Sequence, residues 1–427
     1  MSAAQQADAR AAAEYAARHS YGKLVAYLAA RSRDVAGAED ALAEAFAAAL
    51  KQWPETGTPA RPEAWLLAVA RRRVVDAVRR RRTREAGVGH IAMIAEEIEA
   101  AAQEDDIPDE RLRLMFACAH PAIEPRIRAP LILQTILGFD AGAIASAFLL
   151  PPATMGQRLV RAKSRIRETG IPFRVPGRDE IAERLDAVLE AIYAAFAEGW
   201  TDAVGVETRR RNLATEGIWL GRLAASLMPG EPEALGLLSL MLFAEARRPA
   251  RRNGAGAYVP LAEQDVGLWD ASLIDEAEAL LRRAGSMGLV GRYQLEAAVQ
   301  SAHAARRLTG RTDWAAILAL YDALALISGS PVVTINRAVA VAETEGAQAA
   351  LAAIAGLGDD PRLADYQPYW AARAGFLARL ERTSEASAAY DRAIGLERDP
   401  AVRRFLQEKK ATLSLQPPNP SNSAVDR

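Results

Sequence analysis

The chain has 427 residues and a formal net charge of −1; half of the residues are hydrophobic and only 6% are aromatic. This length exceeds what one hydrophobic core usually supports, so we expect two to four domains. Abundant alanine with few aromatic residues favours packed helices over a β architecture. The near-zero charge does not exclude a nucleic-acid partner, because basic and acidic clusters alternate along the first 170 residues. The composition therefore predicts an all-α protein of several domains.

The sequence does not predict secretion, disulfide bonding or a membrane span. Cys118 is the only cysteine, so no intramolecular disulfide can form, and we expect a buried, inert thiol. Charged residues interrupt the N-terminal alanines, so we expect no secretory signal. The longest uncharged run, 141–157, has 17 residues and contains two prolines, which makes it too short and too broken to cross a bilayer. We expect a cytoplasmic protein without membrane contact.

The first predicted elements form a helical domain over 10–88. Helices are predicted over 21–30 and 36–53, followed by a loop over 54–62 that is rich in proline, glycine and threonine. A third helix is predicted from about 63 to 84. Its apolar stripe consists of Leu67, Val74, Val75 and Val78.

The third helix is the strongest single feature of the sequence. Eight arginines lie between 71 and 84, with Asp76 as the one acid among them. Such charge density repels itself unless an anionic partner neutralises it, and DNA phosphates do so with release of counterions. A solvated helix face with intramolecular ion pairs is the alternative. The candidate DNA-binding residues of this helix are Arg71, Arg72, Arg79, Arg80 and Arg82.

An acidic stretch follows this first domain. Eight acidic residues and no lysine or arginine lie between Glu96 and Glu110, so we assign 89–110 as a linker. The second predicted domain, 111–170, begins directly after it.

The second predicted domain has the pattern of a helix-turn-helix. An apolar helix over 131–139 precedes a short helix over 141–148, which Asp140 can cap. A turn with two prolines then leads into a third helix, where proline is tolerated in the first turn. The predicted buried face of that third helix consists of Met155, Leu159, Ala162 and Ile166.

The third helix of this pattern is basic, as expected for a helix that enters the major groove of DNA. Thr154, Gln157 and Arg158 lie near its N-terminus, where base edges are usually read, and they are predicted to contact bases. Arg161 and Arg165 are predicted to contact phosphates. Helical hairpins with basic faces also occur as ordinary surfaces, and this alternative stays open.

The rest of the chain predicts a helical array over 175–413 and a disordered tail over 414–427. Similar segments around Tyr321, Ile354 and Tyr390 follow one another at intervals of 33 and 36 residues, which is close to the period of tetratricopeptide repeats. Small residues at fixed offsets would let the two helices of each repeat approach closely. Alanine-rich hairpins can also show this rhythm by chance.

Residues 20–170 resemble the extracytoplasmic-function class of bacterial sigma factors. Segment 34–53, with Ala-Glu-Asp near its start and a terminal tryptophan, resembles the helix by which these proteins bind RNA polymerase. Segment 62–84 resembles the helix that opens and reads the minus-ten promoter element, and 131–167 resembles the unit that reads the minus-thirty-five element. The polymerase-binding residues that the resemblance implies are Glu39, Asp40 and Glu44. An ordinary solvated acidic face is the alternative for these three carboxylates.

The resemblance implies core RNA polymerase and promoter DNA as partners. In the family, the loop at 54–62 captures a flipped promoter base, and the acidic linker would follow the path of nascent RNA. The long C-terminal part resembles the tetratricopeptide-like extension of one sigma subgroup, which replaces a separate anti-sigma protein as the regulator. An intramolecular contact between the extension and the sigma domains is therefore expected.

Two other functional classes can be weighed against this one. The four histidines are scattered, and the motifs typical of metal sites, nucleotide loops and nucleophile elbows are missing, so we expect no catalytic residues, no metal and no cofactor. A one-component DNA-binding regulator with a helical sensor domain would explain the helix-turn-helix and the extension. It would not explain the acidic helix, loop and arginine helix of the first domain.

Overall fold

The structure, a computed structural model, describes residues 3–82, 109–147, 151–200, 207–358, 360 and 363–413. Within these residues the regular structure is helical, apart from one isolated antiparallel bridge between Arg252 and Tyr258, so the predicted all-α fold is confirmed. The chain divides into two compact units. We call Met1–Glu198 with Asn212–Leu220 the N-terminal unit, and Gly199–Arg211 with Gly221–Arg427 the C-terminal unit.

The N-terminal unit is built from nine helices of the described residues and the middle of a tenth. They are α1 (Ala3–His19), α2 (Tyr21–Ser32), α3 (Val35–Thr56), α4 (Pro62–Arg82), α5 (Arg111–Cys118), α6 (Pro125–Leu137), α7 (Ala141–Ala147), α8 (Pro152–Thr169), α9 (Arg178–Trp200) and α10 (Glu207–Leu227). The helices predicted at 21–30, 36–53 and from 63 onwards correspond to α2, α3 and α4. The predicted acidic linker, 89–110, lies almost entirely outside the described residues.

Helix α3 is longer at its C-terminus than the sequence predicted. It continues through Pro54 to Thr56, so the connection to α4 is shorter than the predicted loop over 54–62. Trp53 is buried and packs edge-on against Trp65 of α4, with 5.4 Å between the ring centroids. The amide of Gly57 donates to the Trp53 carbonyl at 2.9 Å and closes the last turn. This packing holds a helical turn that a proline would otherwise tend to end.

Helices α6, α7 and α8 reproduce the three-helix pattern predicted for the second domain. Gly138, with φ of 65°, ends α6, since this left-handed conformation favours glycine. Pro152 stands in the first turn of α8, as expected. All four residues predicted for the buried face of α8 are buried, namely Met155, Leu159, Ala162 and Ile166. The periodicity therefore identified the inward face of this helix correctly.

The predicted burial of Cys118 is also confirmed. Its side chain is fully buried between α5 and α6, and its Sγ lies 3.6 Å from the hydroxyl of Thr135. Burial raises the pKa of the thiol to about 12. A thiol that stays protonated is a poor nucleophile and a poor metal ligand.

The first and second predicted domains pack directly against each other through α2 and α6. A Cβ placed on Gly22 of α2 would lie 1.9 Å from the carbonyl oxygen of Ile136 in α6. Gly138 at the end of α6 lies against the ring of Tyr21, since a Cβ there would be 3.3 Å from that ring. Only glycine at position 22 allows the two helices to approach this closely.

Helix α9 and part of α10 complete the N-terminal unit, although both lie beyond the predicted second domain. Arg128 of α6 is buried and donates to the carbonyl oxygens of Ile123 at 3.0 Å and of Glu183 in α9 at 3.2 Å. Gly217 of α10 lies against Phe196 of α9, because a Cβ there would be 2.9 Å from Phe196. The two compact units are thus divided differently from the predicted domains, whose boundaries at 170 and 175 stay predictions.

The C-terminal unit consists of the end of α10 and the helices that follow it. These are α11 (Pro232–Ala246), α12 (Ala271–Gly285), α13 (Arg292–Ala304), α14 (Arg306–Thr309), α15 (Trp314–Ile327), α16 (Pro331–Thr344), α17 (Ala347–Ala353), α18 (Gln367–Arg379), α19 (Thr383–Leu396) and α20 (Pro400–Leu413). Helix α11 is apolar on nearly every side and packs against α12 and α13. Even so, none of the described helices has the length and hydropathy needed to cross a membrane.

The repeat rhythm coincides with helix pairs in this unit. Tyr321, Ile354 and Tyr390 lie on or directly after α15, α17 and α19. Helices α18 and α19 share one core cluster that contains Ala374, Leu377, Ala386, Tyr390 and Ala393. The alanines of this cluster are fully or almost fully buried, as expected for helices that approach through small side chains.

Candidate nucleic-acid interface

The three carboxylates predicted to form an acidic stripe on α3 have different surroundings. Asp40 and Glu44 are exposed, and Glu44 forms an ion pair with Arg73 of α4 at 3.2 Å, with both side chains about half exposed. Glu39 instead accepts a hydrogen bond at 2.6 Å from Lys163 of α8. The side chains of Lys163 and Glu39 are only 12% and 15% exposed. An arriving partner can therefore reach Asp40 and Glu44 but not Glu39.

Burial changes the electrostatics of Glu39. Burial raises its pKa, and the neighbouring Lys163 ammonium opposes that rise. One of its oxygens, Oε1, is buried without a hydrogen-bond partner among the described residues. Burial, followed by the negative charges of Glu39 and Asp40, raises the pKa of the neighbouring Tyr21. Among the described residues, Lys163 is thus the one cation that pairs with this largely buried carboxylate.

The basic helix α8 presents two cationic faces. Lys163 and Arg167 point to α3, and the second of them lies 3.8 Å from Asp34, which also caps the start of α3. Arg161 and Arg165 are exposed, and Arg158 is half-buried. These last three line an open groove together with Ala122, Ile123, Glu124, Ile127 and Ala162. The residues predicted to contact DNA therefore lie on the outward face of α8.

The N-terminal part of α8 exposes residues suited to reading base edges. Gln157 is exposed, and Thr154 is partly so. Val160, which the sequence reasoning did not select, is 64% exposed and lies in a shallow depression with Gln157 and Arg161. An exposed apolar residue one turn after a candidate base-reading residue could contact a thymine methyl group. Its position in a basic helix, outside the apolar stripe, was the signal that would have identified it.

The arginines of α4 divide into a described and an undescribed group. The Arg71 guanidinium lies 4.9 Å from the ring centroid of Tyr27 and donates to its hydroxyl, so this arginine packs on α2. Arg72 is exposed. The predicted DNA contacts Arg79, Arg80 and Arg82 lie at the end of α4, but their side chains are outside the described residues.

A buried arginine that the sequence reasoning did not select links α5 to α10 within the N-terminal unit. Arg111 is 8% exposed, donates to Asp109 at 2.9 Å and forms an ion pair with Glu216. Its guanidinium also lies 3.8 Å from the ring centroid of Trp219. Burial raises the pKa of Glu216, and the positive charge of Arg111 opposes the rise. Asp109 belongs to the predicted acidic linker, so this contact fixes the end of that linker on α10.

The described residues contain no cluster of three or more histidine, cysteine, aspartate or glutamate side chains that could hold a metal ion. The interface described above consists instead of charged and hydrogen-bonding side chains on helix surfaces. Such an arrangement can bind a charged macromolecule through ion pairs and base contacts.

Comparison with known proteins identifies two segments of the chain. Residues 17–84, which contain the end of α1 and all of α2, α3 and α4, match sigma-70 region 2. Residues 184–285 match a family of unknown function (DUF6596). Over 406 residues the chain is 39% identical to the uncharacterized protein R00370 of Rhizobium meliloti (strain 1021), and the alignment covers 93% of each protein. No solved structure matches the chain.

Proposed function

Because this chain belongs to the family of the Rhizobium protein R00370 and carries a sigma-70 region 2 segment, we propose that it is an RNA polymerase sigma factor. It directs core polymerase to specific promoters for the initiation of transcription and performs no enzymatic chemistry of its own. The observation that carries this proposal is the sigma-70 region 2 match over the acidic helix α3 and the arginine helix α4. A cytoplasmic location follows from the polymerase as partner.

The roles of the helices follow from their exposed charges. Asp40 and Glu44 on α3 bind a basic surface of the polymerase, and Glu39 joins them once Lys163 has left it. Arg72 and the arginines at the end of α4 contact the minus-ten element, where neutralised phosphates supply affinity. Arg71, which packs on Tyr27, acts mainly by holding α4 against α2 until DNA is bound.

Helix α8 acts as the recognition helix of a helix-turn-helix formed by α6 to α8. Thr154, Gln157 and Arg158 read bases of the minus-thirty-five element, and Arg161 and Arg165 bind phosphates. The complete burial of the opposite face supports this proposal, because it fixes which side chains point outward.

The chain is further proposed to belong to the extracytoplasmic-function class, with the C-terminal unit as a tetratricopeptide-like regulatory extension. The helix pair α18 and α19, joined through buried alanines, supports the repeat assignment. The contacts of Arg128 and Arg111 with α9 and α10 support a coupling between the sigma helices and the segment that follows them.

The ion pair between Lys163 and Glu39 has a consequence for this mechanism. A polymerase surface that binds Glu39 must compete with Lys163, so α3 and α8 separate when the complex forms. The separation exposes Lys163 and frees the already exposed Arg167 from Asp34, so that both are available to phosphates. The packing of α2 on α6 resists the same separation.

The decisive experiment is transcription with purified components. The full-length protein should retain core polymerase on an affinity column and start transcription from a specific promoter, which core polymerase alone does not do. The variant Asp40→Asn/Glu44→Gln should bind core polymerase at least about tenfold more weakly, given two charge-assisted contacts. The control is Glu55→Gln, which removes an exposed carboxylate near the end of α3.

The second candidate function is a one-component regulator, because a helix-turn-helix formed by α6 to α8 would bind DNA in a regulator as well as in a sigma factor. That protein would bind duplex promoter DNA tightly without polymerase and would not be retained by core enzyme. Such a result would replace the sigma-factor proposal.

A further inference from the structure

A long connection, residues 247–270, joins the packed helices α11 and α12, and we call it the strap. Packed helices are usually joined by about two to eight residues, so most of the strap is not needed to connect this pair. The strap is nevertheless ordered: Arg252 and Tyr258 form an antiparallel bridge, and the amide of Val259 donates to the Arg251 carbonyl at 2.8 Å. An ordered connection of this length indicates a role beyond linking two helices.

The strap crosses to α20, the last helix of the described residues. Three of its residues make contacts there, each of a different kind: Arg252 with Asp399, Tyr258 with Phe405, and Glu263 with Lys409. The two ion pairs measure 2.7 and 3.9 Å in that order, and the centroids of the two rings are 5.4 Å apart. The strap therefore ties the first helix pair of the C-terminal unit to its last described helix.

The base of the strap is fixed on the helices that follow it. Arg306 of α14 donates to the carbonyl oxygens of Ala262 and Gln264, at 2.8 and 2.9 Å. The amide of Asp270 donates to the Ala246 carbonyl at 2.9 Å, so a main-chain hydrogen bond joins the two ends of the strap.

The middle of the strap is held on α20 by side chains that solvent reaches in part. Arg252 and Asp399 are 21% and 13% exposed, and Glu263 and Lys409 are 61% and 48% exposed. Residues 253–256, at the tip of the strap, are exposed. Segments held by partly exposed contacts open at a lower free-energy cost than segments held in a core. The middle of the strap, rather than its base, is therefore the part that opens most readily.

Beneath the strap, α20 offers a carboxylate and an aromatic ring. Asp399 uses Oδ2 to accept from Arg252 and Oδ1 to accept from the amide of Ala401, which caps α20. Phe405 is only partly buried even with the strap in place. Leu406 belongs to the core cluster shared with α19, so α20 stays fixed when the strap leaves it. Release of the strap thus opens one carboxylate oxygen and one ring to another segment.

We propose that the strap is a releasable cover of a docking surface on α20, and that the partner of this surface is a peptide segment with a cation close to an aromatic ring. The strap itself has this chemistry, because its bridge brings Arg252 and Tyr258 side by side. The partner replaces the charge-assisted bond to Asp399 and the ring contact with Phe405. Both sides of the contact lie within the C-terminal unit, so the proposal does not depend on the function proposed for the N-terminal unit.

The first experiment measures release of the strap by hydrogen exchange of the full-length protein. Asp399→Asn removes the charge that pairs with Arg252 and keeps an oxygen that can cap α20. Amides of the middle of the strap should exchange at least about threefold faster in this variant. The control is Asp391→Asn, which removes the partner of Lys410 on the same helix and should leave the strap unchanged.

The second experiment tests the docking surface with a fluorescent peptide of residues 250–260, added to the full-length protein and followed by anisotropy. In the variant Arg252→Gln/Tyr258→Leu the strap no longer competes, so the peptide should bind at least about tenfold more tightly than to the unaltered protein. A peptide with the same two substitutions should not bind saturably.

Three results would each overturn the proposal. They are unchanged strap exchange in Asp399→Asn, equal peptide affinity of the unaltered protein and the strap variant, and no saturable binding of the peptide to the strap variant. The exchange result decides even if the strap variant fails to fold, because it uses a different substitution.

Discussion

At the scale of single residues, Glu39 shows how burial changes the role of a carboxylate. Asp40 and Glu44 lie on the same helix but remain exposed, so their charges cost little and are available to a partner. The Glu39 carboxylate is largely shielded from water, and the Lys163 ammonium stabilises its charged form. Removing one partner of such a pair leaves the other buried without compensation.

The variant Lys163→Met should lower the free energy of unfolding of the N-terminal unit by about 1 to 3 kcal/mol at pH 7, because Glu39 stays charged without its cation. The folded-state pKa of Glu39 is already above its usual value, and loss of Lys163 raises it further. A raised carboxyl pKa favours the folded state at low pH and disfavours it as the pH rises through that pKa. The loss of unfolding free energy caused by Lys163→Met should therefore be smaller at about pH 5 than at pH 7.

Hydrogen exchange of α3 amides measures this effect at both pH values. The control is Arg73→Met, which breaks the exposed pair with Glu44 and should cost less than about 1 kcal/mol. An equal loss of unfolding free energy in the two variants would contradict the proposal that Lys163 and Glu39 form a stabilising buried pair. A loss in Lys163→Met that grows at low pH would contradict it too.

Gly22 is a second residue at which the surrounding atoms decide which side chain the position can accept. The variant Gly22→Ala should destabilise the N-terminal unit by about 1 to 3 kcal/mol, since its Cβ would overlap the Ile136 carbonyl. Gly375→Ala is the matched control, because it lies in helix α18 with open space around the new Cβ. That change should stabilise its helix by about 0.5 to 1 kcal/mol. Thermal unfolding distinguishes them, and a stabilised Gly22 variant would mean that α2 and α6 do not touch.

At the scale of elements, α8 combines two functions on one helix. Its apolar stripe faces the core, Lys163 and Arg167 face α3, and the outward arginines remain accessible. Successive side chains are rotated by about 100° along a helix. One short segment can therefore contact the core, contact α3 and expose side chains to solvent. In the proposed role of α8 as a recognition helix, the side chains outside the first two faces are the ones that contact DNA.

The variant Arg158→Ala should change the preference among minus-thirty-five sequences by about 1 to 3 kcal/mol, because a bidentate contact to a base is lost. Arg165→Ala should weaken binding to all minus-thirty-five sequences by the same factor, as expected for the loss of a phosphate contact. Competition between promoter variants in polymerase-dependent transcription measures both effects. A uniform loss with Arg158→Ala would reassign this residue to the DNA backbone.

At the scale of the whole molecule, the N-terminal unit extends past α8 into α9 and α10. The carbonyl of Glu183 satisfies the buried Arg128, and Glu216 neutralises the buried Arg111. Leu189 and Ile192 of α9 are also fully buried. Without these helices the unit would expose apolar surface and leave two buried arginines short of partners.

A fragment of residues 1–174 should therefore be less stable than a fragment of residues 1–227. We expect a lower unfolding temperature and a greater tendency to aggregate for the shorter fragment, measured by circular dichroism and light scattering. Identical unfolding of both fragments would show that α9 and α10 add nothing to this unit.

The positions of the predicted site residues in the fold follow from the sequence only in part, and the reason differs between residues. Arg161 and Arg165 were expected on the outward face of α8, and the structure places them there because the apolar periodicity fixes the opposite face. Glu39 and Asp40 looked equivalent in sequence, since nothing local distinguishes adjacent acids on one helix. Their difference comes from Lys163, which lies 124 residues away along the chain.

The sequence by itself determined the helices, the buried face of α8 and the burial of Cys118, because these depend on local periodicity and on the transfer of apolar side chains from water. Only the tertiary structure decided which helix faces meet: α2 on α6, α3 on α8, and α9 within the N-terminal unit. Such pairings join residues far apart in the chain, and no local pattern encodes them.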